Sequence, residues 1–133
     1  MVLLSPAERA QVDDAIAKAV FSAPLPSVVE QLVAVLGGPN VAVIGDVRAT
    51  SAVGEWIRGA REPRGDREQR LRLALQAALT IRERHGDKTV RAWFLGANHR
   101  LDDHMPITVI ATSRDLGEMQ RTVLAAARAF VAG

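Results

Sequence analysis

The 133 residues of this chain predict an all-α fold. Apolar residues recur at threes and fours along most of it, the spacing of one helix face. Helix start and stop residues punctuate that pattern. Ala, Leu and Val dominate, aromatic residues make up 4% and tyrosine is absent. Such a mixture favours helices packed closely through small side chains. One stretch competes for a strand: Val41 to Val47 is rich in β-branched residues. It is short, contains Gly45 and is followed by a helical pattern, not by a second strand, so it is read as helix.

Taken in order, Ser5-Pro6-Ala7-Glu8 supplies a capping serine, a proline at the first helical position and a glutamate three after the cap. The helix it opens runs to about Phe21, with Val12, Ile16, Ala19 and Val20 on its apolar face. Ser22 to Pro26 breaks it. Ser27 and Glu30 form a second expected capping box, opening a helix from Val28 to Leu36 that Gly37-Gly38 stops. Pro39 opens the next. Val41 to Pro63 reads as two short helices joined by a tight turn. Thr50 and Ser51 are suited to cap the second, Val53, Trp56 and Ile57 share one face, and Gly59 ends it. Asp66 is the expected cap of a long helix from Arg67 to about His85. Leu71, Leu75, Ala78 and Leu79 form its stripe, with Arg70, Arg72, Arg82 and Arg84 outside it. Gly86 stops that helix and Asp87 caps a shorter one carrying Trp93 and Phe94. After a turn at Gly96 to Asn98 and a loop, Pro106 starts another short helix. The last helix runs from about Asp115 to Val131. Its seam of Leu116, Met119, Val123, Ala126, Ala127 and Phe130 suits packing against another helix.

The totals exclude several classes. Cysteine is absent, which removes disulfides and thiolate metal sites. No stretch approaches the ~20 apolar residues of a membrane span. The opening MVLLSPAER lacks a basic region ahead of its apolar run, so no signal peptide is read there and a cytoplasmic location is expected. The net charge is +2, unevenly placed: −3 over residues 1–47, +6 over 48–100 and −1 over 101–133. A basic middle suits phosphate contacts, which position a protein on DNA without reading its sequence. A solvated arginine-rich helix face has the same composition.

Val53-x-x-Trp56-x-x-Gly59-x-x-x-Pro63 resembles the recognition-helix half of the Xre (Cro/phage-repressor) helix-turn-helix family, with Ala42 and Val47 matching its first-helix alanine and turn hydrophobe. The turn is one residue longer than that family's, and Ala52 and Gly54 lie where base-reading side chains are expected. Downstream, Trp93, Asn98-x-x-Leu101, Pro106-Ile107 and an apolar helix ending at Gly133 resemble the Xre/MbcA/ParS toxin-binding domain. Together the two resemblances span roughly two thirds of the chain, in the family's order. They imply residues 1–64 as N-terminal helices with an Xre-like helix-turn-helix, and residues 65–133 as a helical toxin-binding and dimerisation domain. They imply an antitoxin of a type II toxin–antitoxin pair. It would be a homodimer without cofactor or catalytic activity, bound to a RES-domain toxin that attacks NAD and to the operator of its own promoter. DNA contacts are expected from Arg48, Thr50, Ser51, Arg58, Arg61 and Arg64. Toxin contacts are expected from Arg128, Phe130, Val131, Ala132 and Gly133.

Two other readings compete. The C-terminal half can serve only to dimerise a stand-alone transcription regulator. His99, Asp102, Asp103 and His104 are the one cluster of metal-capable side chains, the material for a small enzyme or metal sensor, although a polar loop capping the helix at Pro106 is the more ordinary explanation. No nucleophile elbow, phosphate loop or pair of catalytic carboxylates is present, so no enzymatic activity is expected.

Overall fold

A computed structural model describes residues 4–133. Among them are eight α-helices: α1 (Pro6–Ser22), α2 (Leu25–Leu36), α3 (Gly38–Ile44), α4 (Thr50–Ile57), α5 (Arg67–Arg82), α6 (Asp87–Leu95), α7 (Pro106–Thr112) and α8 (Leu116–Ala132). A 3₁₀ turn covers His99–Leu101. No strand forms among the described residues, and Val41 to Ile44 belongs to α3. The first three residues of the segment read as lacking a signal peptide lie outside the described residues.

Helix α5 is the axis. Ten of its sixteen residues are buried, and α1, α2, α3, α6, α7 and α8 all pack against it. A helix buried nearly all round needs small and apolar side chains on every side, and Leu71, Ala74, Leu75, Ala77, Ala78 and Ile81 provide them. Each fully buried Leu or Ile contributes ~1.5–3 kcal/mol through water released from its surface. One continuous core joins residues on both sides of position 64, from Val20 and Leu32 to Phe94 and Val131. Helix α4 lies outside this ring and packs chiefly on α2 and α3.

Arg70, expected outside, is buried. Its guanidinium donates to the Ile110 and Ser113 carbonyls at the end of α7 and to Asp66 Oδ2 at 2.8 Å. A helix C-terminus leaves carbonyls without partners, and this arginine satisfies two of them. Its hydrogen bond is also what holds the Asp66 carboxyl below the usual aspartate range. Asp66 therefore does not cap α5 with its side chain, since its carboxylate is taken by Arg70.

Other helix starts also differ. The Ser5–Glu8 box forms, with both hydrogen bonds in place, and it lowers the Glu8 pKa. The Ser27–Glu30 box does not form, because α2 begins three residues earlier, at Leu25. Pro26 is tolerated there because a first-turn N–H has no helical partner to lose. Ser27 instead accepts from Gln31 Nε2 at 3.2 Å. Asp87 is the first residue of α6, not its cap, and pairs with Arg82 at 3.3 Å. Ala19 is exposed, leaving Val20 as the one fully buried residue of α1. Helix α5 stops at Arg82, short of His85.

Candidate functional site

Two surfaces collect the residues singled out from the sequence. The first is built on α3 and α4. Helix α3 ends at Gly45, and Asp46 turns left-handed at φ 52°, a conformation aspartate tolerates better than most residues. Val47 N–H then donates back to the Ala42 carbonyl at 3.0 Å. Glycine is required at position 45 by the neighbouring indole, because a Cβ there would lie 2.5 Å from Trp56 Cη2. Trp56 is 1% exposed, and with Ala52 and Val53 it fixes which face of α4 turns inward. From α5, Arg67 reaches the same turn, donating to the Asp46 carbonyl at 3.3 Å.

The opposite face of α4 stays open. Thr50, Ser51 and Arg58 are exposed on it, and Arg48, Arg61 and Arg64 are exposed in the flanking segments. Thr50 and Ser51 are not caps: they are the first two residues of α4, and Ala49 holds the cap position with no side chain to offer. Ala52 is buried, so of the two expected base-reading positions only Gly54 lies toward the open face. A Cβ there would sit 3.2 Å from Arg58 Nη1, so the bare glycine leaves room for that guanidinium to lie along the helix. Among the described residues Arg48, Arg58, Arg61 and Arg64 make no ion pair, as is also true of the exposed Arg100, Arg114 and Arg121 elsewhere, whereas Arg9, Arg67, Arg70, Arg72, Arg82 and Arg128 each have an acidic partner.

The second surface lies at the C-terminal end of α6. The Asn98 to His104 loop closes on itself. Arg100 N–H donates to Asn98 Oδ1 at 2.9 Å, and the Leu101 and Asp103 N–H groups donate to the Asn98 carbonyl. Asn98 N–H donates to the His104 carbonyl at 3.1 Å. Asp102 and Asp103 turn left-handed in succession, at φ 54° and 63°. Leu101 is thereby driven into the core beside α8, and Pro106 is set at the start of α7. The asparagine, leucine and proline of this segment are thus a bracket, a plug and a helix start. His99 and Asp103 face each other at 3.8 Å on the exposed side, and His104 Nδ1 lies 3.1 Å from the Leu101 carbonyl. No group of three or more His, Asp or Glu side chains arranged to hold a metal occurs among the described residues.

Beside this loop is an open, mainly apolar pocket of about 480 Å³, walled by Trp93, Asn98, Ala126, Ala129 and Phe130. Phe130 is 40% exposed, and its ring tilts against His85 with centroids 5.1 Å apart. Arg84 donates to the Val131 carbonyl, pinning the last turn of α8. Of the residues expected to touch a toxin, Phe130, Ala132 and Gly133 are accessible and Val131 is fully buried. Arg128 is half-exposed and paired with Asp13 of α1 at 3.4 Å. Asp13, Arg84 and His85, which hold this end in place, carry no signal in the sequence, because each acts on a residue more than 40 positions away. Comparison with protein-family models, with curated proteins and with solved structures found no significant match.

Proposed function

We propose that this chain is the antitoxin of a type II toxin–antitoxin pair, a cytoplasmic homodimer that neutralises a RES-domain, NAD-consuming toxin by covering its active site. The supporting observation is the pocket beside the Asn98 loop. Trp93 and Asn98, which carry the resemblance, and Phe130, 32 positions further on, wall one accessible apolar hollow. An exposed aromatic ring next to a hollow, on a helix end pinned by Arg84 and His85, is the kind of rigid anchor that carries most of an interface's energy. Helices α3 and α4 serve in this reading as the helix-turn-helix that represses the pair's own promoter.

The test is co-expression with a RES-domain protein encoded by the neighbouring gene. Growth and cellular NAD are expected to recover with the wild-type chain and to stay low with Phe130→Asp, whose helical content should not change. If both proteins fold, do not co-purify, and growth still fails, the antitoxin reading is wrong.

A second reading, a stand-alone dimeric DNA-binding regulator, draws on the open face of α4 with Arg58 and on Arg48, Arg61 and Arg64 in the segments flanking it, all without acidic partners. DNA binding is shared by both readings. Affinity for the chain's own promoter fragment is expected to fall steeply with salt, and each of Arg58→Ala, Arg61→Ala and Arg64→Ala should reduce the salt slope by about one. A salt-independent affinity would remove DNA from both. Promoter binding without toxin protection would leave the second reading standing alone.

A further inference from the structure

Where α1 packs against α5, its last turn lifts Phe21 clear of the surface. At 64% exposed it is the most exposed large hydrophobic side chain among the described residues. Its neighbour Val20 fills the core, and a helix turns about 100° per residue, so Phe21 points outward. The backbone under it is held firmly. Arg72 of α5 donates to the Val20 carbonyl at 2.7 Å and to the Ala23 carbonyl at 2.9 Å, while its Nε bonds Glu68 at 3.0 Å. The ring therefore projects from a fixed platform rather than a frayed end.

Directly beside it is a hollow of about 320 Å³ between α5 and the start of α8, with Leu73, Leu116 and Met119 among its walls and Phe21 at its rim. Gln76 also lines it. The residue is 6% exposed, and its side-chain amide makes no hydrogen bond within the chain. That amide is left open to whatever enters the hollow.

We infer that this face joins two copies of the chain about a twofold axis, each Phe21 ring seated in the hollow of the other copy. A twofold interface must be self-complementary, so one patch has to carry both the knob and the hole. This patch does. Its charge also fits a copy of itself. Arg72 is the one charged residue lining the hollow, and it is paired with Glu68 inside the chain, so a second copy brings no uncompensated charge to it. The other polar lining groups are Gln69, Gln76 and Gln120. A carboxylate or guanidinium cannot hydrogen-bond its own kind, but an amide both donates and accepts, and it pairs with the same amide from a second copy. A strongly acidic or basic partner would find nothing here to neutralise. The inference gives a location to the dimer invoked above, but its test reads association between copies and not toxin neutralisation, so either can fail alone.

Sedimentation of the full chain should show a dimer at micromolar concentration. Phe21→Glu, which removes nothing from the core, should raise the dissociation constant by about 30-fold or more, the scale of losing an interface anchor, with the far-UV spectrum unchanged. A chain that is monomeric throughout, or a Phe21→Glu variant as dimeric as the wild type, overturns the inference. Since the chain has no cysteine, two single variants test the geometry with the core intact. Phe21→Cys mixed with Gln120→Cys should cross-link between chains through a short bismaleimide, while Phe21→Cys mixed with Ser51→Cys should not. A dimer that gives the second product and not the first is joined elsewhere.

Discussion

Helices α4 and α5 both feed side chains into the core, yet they occupy opposite positions in the molecule. In α5 ten of sixteen residues are buried and six other helices touch it. In α4 three of eight are buried, with α2 and α3 as its main neighbours. The difference separates scaffold from display. A helix packed on by six others keeps little open surface, here chiefly the side lining the hollow beside Phe21, and polar residues elsewhere on it are absorbed into structure, as Arg70 is by the end of α7. A helix held by one face keeps the other free, and there the arginines stay unpaired. The same contrast applies to α8, whose middle is core and whose last turn presents Phe130.

The contrast can be broken in several ways. Leu75→Ala at the centre of α5 should cost the most, ~2–5 kcal/mol, because the cavity it leaves is closed in by several helices that cannot all collapse into it. Urea unfolding should show this loss as a lower midpoint for the whole chain. Arg70→Leu should cost ~1–3 kcal/mol per buried carbonyl stripped of its donor, partly offset by the apolar replacement. Gly45→Ala should cost ~1–3 kcal/mol by forcing Trp56 off its site. Its signature should be local: faster amide exchange in α4, with the amides of α5 still exchanging only through global unfolding. If α4 and α5 amides lose protection equally, the two helices form one cooperative unit and the distinction between scaffold and display fails energetically. The smallest effect is electrostatic. The Asp66 pKa is lowered in the folded chain chiefly by the Arg70 hydrogen bond. Its contribution is present in full above the ordinary aspartate value, about 3.9, and is lost as pH falls through the lowered one. Thermal stability should therefore drop on acidification below about pH 4, and Asp66→Asn should flatten part of that drop.

The helical class and the order of the elements were legible because periodicity and glycine–proline punctuation are local. Val53, Trp56 and Gly59 fell where their spacing placed them, and Asp115 caps α8 by accepting from Glu118 N–H at 3.0 Å. Individual caps were less legible. Ser27, Thr50, Asp66 and Asp87 all have the right chemistry for a helix start, yet a shift of one to three residues or a competing arginine removes each from the role. The burial of Arg70 was hidden because it depends on carbonyls 40 and 43 positions away. Phe21 was read as the last residue of its helix, and nothing local says that its ring points outward while Val20 points in. The Asn98 loop shows the converse. Its spacing shows in the sequence only as a resemblance, and its hydrogen bonds supply a structural reason for that spacing.

From Arg58 to Gly65 the chain runs almost entirely exposed, and a Cβ at either of its left-handed glycines, Gly59 and Gly65, would meet nothing within 4 Å. Nothing in the core constrains how long this segment is. It acts as slack between the axis of the molecule and its outlying helix, and added length there spends only the slowly growing entropy of a larger loop. Reach can therefore be tuned without touching fold: a few serines and glycines spliced into this leash would move Arg61 and Arg64 outward while every packed contact stays as it is.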